Sequence, residues 1–281
     1  MRRVAAALLA AFAFLPGAEA KRPVPAFERV VVIVFENHGP AAVFDNRDAP
    51  TFISLASRNA LLSPYSSITH PSLPNYLALV SGSTHGIRSD CTSCLVSGPS
   101  LADTLEGAHK TWKTYAEGLP KPGFTGAFAG RYAKKHNPFL YFRRVLSKPA
   151  RRARVVPLSR LPRDLAARRL PDFSLVVPDL CHDMHDCSVK TGDAWLGRFL
   201  PPLLRNAQLA RAVVFIVFDE PPSGQGKLVP ALAVGPLVRR GSVYANRTSH
   251  YGLLRTIEDA WGLPRLGESA RAAPITGIWR Y

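Results

Sequence analysis

Val30-Val31-Val32-Ile33-Val34-Phe35-Glu36-Asn37-His38 decides the fold. Six apolar residues, five of them β-branched and none alternating with polar ones, read as a strand buried on both faces, as in a parallel sheet covered by helices. Two further runs repeat the arrangement. Ser174 to Val177 leads into Pro178-Asp179 and then His182-Asp183-Met184-His185-Asp186, and Val213 to Phe218 leads into Asp219-Glu220. A fourth run, Val229 to Val234, is also expected as a parallel strand. Polar, ligand-type clusters thus follow three strands at their carboxyl ends, the edge where open α/β sheets bind ligands. An acid after one strand is equally well a turn former; three clusters on one edge predict a site.

Helical patterns lie between the strands, at Thr51 to Arg58, Asn75 to Val80, Ser100 to Ala108, Ala194 to Leu204 and His250 to Trp261. Such alternation gives a layered α/β fold with a mostly parallel central sheet between helices. Leu119 to Pro171 is rich in Pro, Gly and Arg and has little periodicity. It is expected to be an irregular basic insertion or lid at about 119–171 within one catalytic domain, 21–281.

Ser72 sits in Thr69-His70-Pro71-Ser72-Leu73-Pro74-Asn75-Tyr76, just ahead of an apolar helical stretch. A hydroxyl there reads as a nucleophile at a helix N-terminus, where free N–H groups and the positive dipole end favour a phosphoryl anion. The bland alternative is an ordinary start of a helix, since Ser-x-Pro serves that purpose anywhere.

Met1-Arg2-Arg3, the apolar stretch Val4 to Leu15 and Ala18-Glu19-Ala20 form a basic, apolar and small-residue series. This is the pattern of a signal peptide, residues 1–20, cleaved after Ala20, and the mature chain is expected to be secreted. Four cysteines remain, and an even number in an exported chain favours disulfides. Of three possible connectivities, two local loops are expected, Cys91 with Cys94 and Cys181 with Cys187; a redox-active CxxC pair is the alternative.

The formal net charge is +16, with much of the excess between Arg143 and Arg169. That tract reads as a solvated basic face, or as a means of attracting anionic lipid head groups or polyphosphorylated substrates. No aromatic interleaving or nucleic-acid module accompanies it, so nucleic acid is not an expected partner.

Glu36, Asn37, Asp219 and Glu220 offer oxygen ligands, and Ser72 offers a hydroxyl that a bound divalent cation would help to ionise. Asp183, His185 and His250 suit a second metal, phosphate binding or protonation of the leaving alcohol. Asp186 and Asp193 read as orienters of ligand groups or as helix caps, and His38, His70 and His85 as structural hydrogen-bonding groups, with direct catalysis the alternative for each histidine. Oxygen ligands favour Mg²⁺ or Ca²⁺ and histidines favour Zn²⁺, so the ion is left as an unspecified divalent metal.

Phe35-Glu36-Asn37-His38, Ser72-Leu73-Pro74-Asn75-Tyr76, Lys135-His136-Asn137-Pro138-Phe139, Asp183-Met184-His185-Asp186, Phe218-Asp219-Glu220 and Ser249-His250-Tyr251 together resemble the bacterial phosphoesterase family of secreted acid phosphatases and phospholipases C. The resemblance runs from about Arg29 to Leu263 and implies an alkaline-phosphatase-like three-layer sandwich. It implies Ser72 as nucleophile, Glu36, Asn37, Asp219 and Glu220 as metal ligands, and Asn37, Asn75, His185 and His250 as phosphate-binding groups. It also carries over His136, through the Lys-His-Asn-Pro-Phe match alone. Glu220 stands where relatives place a histidine, and Glu36-Asn37 replaces a simpler aspartate ligand, which favours one oxygen-rich metal site. The short, disulfide-bearing members resemble secreted actinobacterial phosphatases acting on phosphatidylinositol 3-phosphate, and this suggests the substrate. A phosphodiester-cleaving phospholipase C and a basic surface-binding protein without catalysis are the alternative functions.

Overall fold

Arg29–Phe35 forms β1, with Val30 to Phe35 fully buried, and it is the centre from which the structure is built. A computed structural model describes residues 23–281; the predicted leader, residues 1–20, lies outside them. The other strands of the main sheet are β2 (Ala60–Leu62), β3 (Trp112–Ala116), β4 (Val155–Pro157), β5 (Phe173–Val177), β6 (Ala212–Phe218), β7 (Ala231–Val234) and β8 (Ser242–Tyr244). Their order across the sheet is β8-β2-β7-β6-β1-β5-β3-β4.

β1 runs parallel to β5 on one side and to β6 on the other, and its register with β6 sets Phe35 beside Phe218. The next residue on each strand, Glu36 and Asp219, therefore leaves the sheet side by side, and the Asp219 amide still donates to the Phe35 carbonyl at 2.9 Å. Pleat geometry alone thus brings together two carboxylates that are 183 residues apart in sequence.

Helices α1 (Pro50–Arg58) and α4 (Val189–Leu204) pack together. A second group is formed by α2 (Ser72–Ser81), α3 (Leu101–Gly107) and α5 (His250–Trp261), with α2 against both of the others. The result is the expected three-layer sandwich. Asp193, in α4, accepts from the Thr51 and Phe52 amides at 3.2 and 3.0 Å, so it caps α1 and not its own helix. No helix among the described residues is long and apolar enough to cross a membrane.

Two expectations are corrected. Ala231–Val234 forms a strand, but it runs antiparallel to β6, with Leu232 opposite Ile216. The stretch between these strands contains no helix, and without a crossover the chain can only fold back on its neighbour. The stretch 119–171 is likewise no separate insertion: β4 is the edge strand of the main sheet, paired with β3, and Phe139, Leu140, Tyr141 and Phe142 are fully buried. It is made of 3-10 turns, α-helices of four to six residues and strands of two or three, all too short to show a hydrophobic period. Within its basic tract, Arg151 is buried and holds Glu106 at 2.7 Å and Asp103 at 2.9 Å, while Arg143, Arg163, Arg168 and Arg169 are exposed.

Candidate active site

Ser72 begins α2, and residues four apart on a helix share a face, so Ser72 and Tyr76 point the same way. Both reach Glu36. Ser72 Oγ donates to Glu36 Oε2 at 3.1 Å, and Tyr76 Oη donates to Glu36 Oε1 at 2.7 Å. His136 lies flat on the Tyr76 ring, with centroids 5.1 Å apart, and sits between two acids, 3.2 Å from Glu36 Oε1 and 3.2 Å from Asp183 Oδ2. The Cys181–Cys187 disulfide closes the loop that carries Asp183 and His185, and the Glu36 amide ties that loop to β1 by donating to the Asp183 carbonyl at 2.9 Å. The Cys91–Cys94 disulfide is also formed, so both expected pairings are present.

On the other side of Glu36, Asp219 Oδ1 accepts from the Asn37 amide at 3.2 Å and the Glu220 amide at 2.6 Å. Asn37 sits at φ 55, a left-handed conformation that asparagine tolerates better than most residues. Glu220 turns away from Asp219 to accept from Asn75 Nδ2 at 3.0 Å and lies 3.1 Å from His70 Nδ1.

Four carboxylates therefore share a nearly dry site: Glu36, Asp183, Asp219 and Glu220 are each at most 6% exposed. Burial holds Glu36 and Asp183 well above the usual carboxylate range, and the Asp219 charge adds to both. Burial likewise pushes Asp219 up to about 6 and, with the Asp219 charge, Glu220 up to about 8. The nearby cation is Lys135, whose Nζ lies 3.0 Å from Asp90 Oδ2 and 3.1 Å from His185 Nε2. Burial works against its charge, but Glu36 and Asp90 outweigh that and raise its pKa. Burial depresses His136, and the Lys135 charge adds to the effect.

These residues fit a divalent cation. Asp219 Oδ2 is buried without a hydrogen-bond partner, and Asp183 Oδ2 and His136 Nε2 are buried with only the 3.2 Å ion-pair contacts named above and no hydrogen bond, a lack that a bound ion would satisfy. Crowded buried carboxylates need positive charge for the same reason. Glu36, His136 and His185 also bring one ligand atom each to within 4.8 Å of one another, so nitrogen donors flank the oxygen-rich side.

The predicted residues divide into three groups. Ser72, Glu36, Asn37, Asp219, Glu220, Asp183, His136 and His185 come together. Asp186 stands outside but orients His185, its Oδ1 2.6 Å from His185 Nδ1. The polar side-chain atoms of His250 and Asn75 are engaged by protein groups. His250 Nδ1 pairs with Tyr65 Oη at 3.0 Å, its Nε2 lies 2.9 Å from the Asp219 carbonyl oxygen, and burial lowers its pKa to about 4. Asn75 uses its oxygen on the Ile68 and Thr69 amides and its nitrogen on Glu220 and the Thr69 carbonyl. Both residues hold backbone in place.

Sequence reasoning missed Asp90, Lys135 and Tyr76 as members of the site. Asp90 accepts from the Leu73 amide at 2.9 Å and so caps the first turn of α2 from 17 residues further along the chain, a relation with no local signal. Lys135 had one, its place beside His136, and Tyr76 had another, its spacing from Ser72. His38 Nδ1 lies 2.8 Å from the Glu36 carbonyl oxygen and His85 Nε2 lies 2.9 Å from Ser81 Oγ, contacts of the kind a structural histidine makes.

The phosphoesterase family model matches residues 36–264. The chain is 38% identical to a phosphatidylinositol-3-phosphatase of Mycobacterium tuberculosis over 91% of this chain and 84% of that protein. It is 31% identical to a phosphate-repressible acid phosphatase of Penicillium chrysogenum over 86% of this chain, which spans 61% of the fungal enzyme. Among solved structures, a Vibrio parahaemolyticus protein of the alkaline phosphatase superfamily superposes with a TM-score of 0.61 at 12% identity, covering 86% of this chain and 69% of its own. That likeness shows the fold. With the fold, the carboxyl-edge site and the matched span in agreement, the chain belongs to the phosphoesterase family and is a hydrolase of phosphoric ester bonds.

Proposed function

We propose that the chain is an exported phosphomonoesterase that forms a phosphoserine on Ser72 and hydrolyses it. The carrying observation is the Ser72 hydroxyl at the head of α2, hydrogen-bonded to Glu36 inside a cluster of buried carboxylates. Ser72 Oγ attacks phosphorus, and its proton passes toward Glu36 Oε2. The bond from phosphorus to the ester oxygen breaks, and His185, oriented by Asp186, protonates the departing alcohol. The same imidazole then takes a proton from water as water attacks the phosphoserine; the bond from phosphorus to Ser72 Oγ breaks, Glu36 returns its proton to Oγ, and phosphate is released. Lys135 pairs with the non-bridging phosphoryl oxygens. Glu36, Asn37, Ser72 and Asp219 would hold a divalent cation, which when bound lowers the pKa of the hydroxyl and neutralises phosphoryl charge. Glu220, held by Asn75 and His70, positions that loop. Relative to the ligand set expected from sequence, it moves from ligand to support.

The substrate we assign is phosphatidylinositol 3-phosphate, on the strength of the named mycobacterial relative and its coverage of both chains. Export is supported by the leader pattern of residues 1–20 and by two disulfides, which persist in oxidising compartments. The test is hydrolysis of a chromogenic phosphomonoester and of a short-chain, soluble phosphatidylinositol 3-phosphate by the mature protein, by Ser72→Ala and by a chelated sample. Loss of turnover in the folded variant is expected. Turnover of phosphodiesters but not monoesters would replace this reading with the phospholipase C one.

A further inference from the structure

We propose that three loops rimming the active site form a docking face for an anionic lipid bilayer, with Phe128, Leu95 and Leu228 entering the interface. The proposal rests on the lipid-phosphatase reading above and adds to it the surface that would bring the site to its substrate.

Large apolar side chains exposed one at a time are ordinary, and their mere presence says nothing. Their placement here is informative. Six are exposed among the described residues, and three of them, Phe128 at 59%, Leu228 at 47% and Leu95 at 42%, lie on loops that also deliver residues to the site. Phe128 is in a short hairpin, Phe128–Ala129 with Tyr132–Ala133, that runs directly into Lys135 and His136. Leu95 follows the Cys91–Cys94 disulfide, five residues after Asp90, which caps α2 and holds Lys135. Leu228 ends the loop that starts after Glu220.

Cross-links hold these loops to the site and to one another. Lys134 Nζ of the hairpin segment donates to the Thr92 carbonyl of the disulfide loop at 2.7 Å. Lys227 Nζ donates at 2.8 Å to the carbonyl of Ile68, in the segment that leads to Ser72.

Charge supplies the second argument. The three rim segments, 83–97, 119–135 and 221–230, contain Arg88, Lys121, Arg131, Lys134, Lys135 and Lys227 against a single acid, Asp90, which is spent on Lys135. Arg88, Lys121, Arg131 and Lys227 are exposed. Cations beside apolar tips are what an anionic lipid surface selects: each adds attraction near the surface, and the apolar groups enter the acyl boundary. The arginines of 143–169, by contrast, are partly committed within the fold, through Arg151 and Arg154 to Glu106 and through Arg160 to Asp164.

The test is co-sedimentation of the mature protein with vesicles of phosphatidylcholine alone and of phosphatidylcholine with phosphatidylserine, neither containing phosphoinositide. Vesicle binding is thereby read without any turnover. The wild type is expected to bind the anionic vesicles and not the neutral ones. Phe128→Ser with Leu95→Ser and Leu228→Ser should weaken binding by about tenfold, as the loss of partly buried apolar side chains implies, and leave hydrolysis of a soluble phosphomonoester unchanged. Lys121→Glu with Arg131→Glu, confined to exposed positions, provides the same test should the triple variant fold poorly. Absence of wild-type binding, or equal binding by wild type and both variants, overturns the docking face. Hydrolysis of the short-chain soluble phosphoinositide would still stand in that event, so the two readings fail separately.

Discussion

Ser72 Oγ lies 3.1 Å from Glu36 Oε2, joining the first residue of α2 to the residue that follows the central strand β1. The contact is buried on both sides, with Ser72 at 2% and Glu36 at 0% exposure. A serine needed only to start a helix would turn its hydroxyl to the backbone amides of its own first turn. Here Asp90 serves the Leu73 amide, and the hydroxyl is left for Glu36.

Asp219→Asn should weaken metal binding and turnover together. Asp219 Oδ2 is buried without a hydrogen-bond partner, and the amide replaces a charged ligand by a neutral one. A fall in kcat/KM of about a hundredfold or more is expected, since a catalytic ion contributes several kcal/mol. Metal content measured beside rate decides the matter: full activity at unchanged metal content would remove Asp219 from the ligand set.

Asp90→Ala removes two supports at once, the cap on the Leu73 amide and the partner of Lys135. About 1 kcal/mol of stability should go with the cap, and kcat/KM should drop by roughly tenfold as Lys135 loses its anchor. Asp90→Asn should recover most of the stability but not the rate, because an amide can still accept from Leu73 without holding the ammonium by charge. Equal recovery of both would show that Asp90 acts only as a cap.

Gly82→Ala should destabilise the fold by roughly 3 kcal/mol or more. Gly82 ends α2 at φ 68, and a Cβ there would lie 1.8 Å from the Leu266 carbonyl oxygen. Backbone, unlike a side-chain tip, has no rotamer by which to yield. Denaturant titration of the variant measures the loss; a change within about 0.5 kcal/mol would contradict the packing described.

Glu258 gives a pH dependence away from the catalytic site. It is fully buried in α5, accepts from the Leu266 amide at 2.9 Å and from Ser269 Oγ at 2.6 Å, and burial raises its pKa to about 7 from a usual 4.5. Between those values the folded chain holds a proton that the unfolded chain has released. Stability from this group is therefore fully present below pH 4.5 and falls as pH rises through 7, by roughly 3 kcal/mol in total. Glu258→Gln should flatten that part of the stability profile. An unchanged slope in the variant would assign the pH dependence to other groups.

Much of the site was legible because strand ends are legible. The runs before Glu36, Asp183 and Asp219 have a hydrophobic continuity that only buried strands need, and the fold puts their ends on one edge. The hydroxyl before an apolar helix named Ser72 in the same way. The remainder depended on relations that leave no periodic trace. His250 has the residue type of a ligand, yet both ring nitrogens are taken by Tyr65 and the Asp219 backbone, which only tertiary packing decides. Asn75 is consumed by Ile68, Thr69 and Glu220 for the same reason. The 119–171 stretch looked peripheral because its buried residues sit on single turns, and the antiparallel return of β7 hides in a connection whose length alone does not announce its direction.

The central claim is that Ser72 carries the phosphoryl group, and acid quenching during turnover of a phosphomonoester tests it most directly. Mass spectrometry of the digested protein should find phosphate on the peptide containing Ser72, and none in the Ser72→Ala variant, which should fold and fail to turn over. Phosphate on another residue, or wild-type-like turnover by folded Ser72→Ala, would contradict the account.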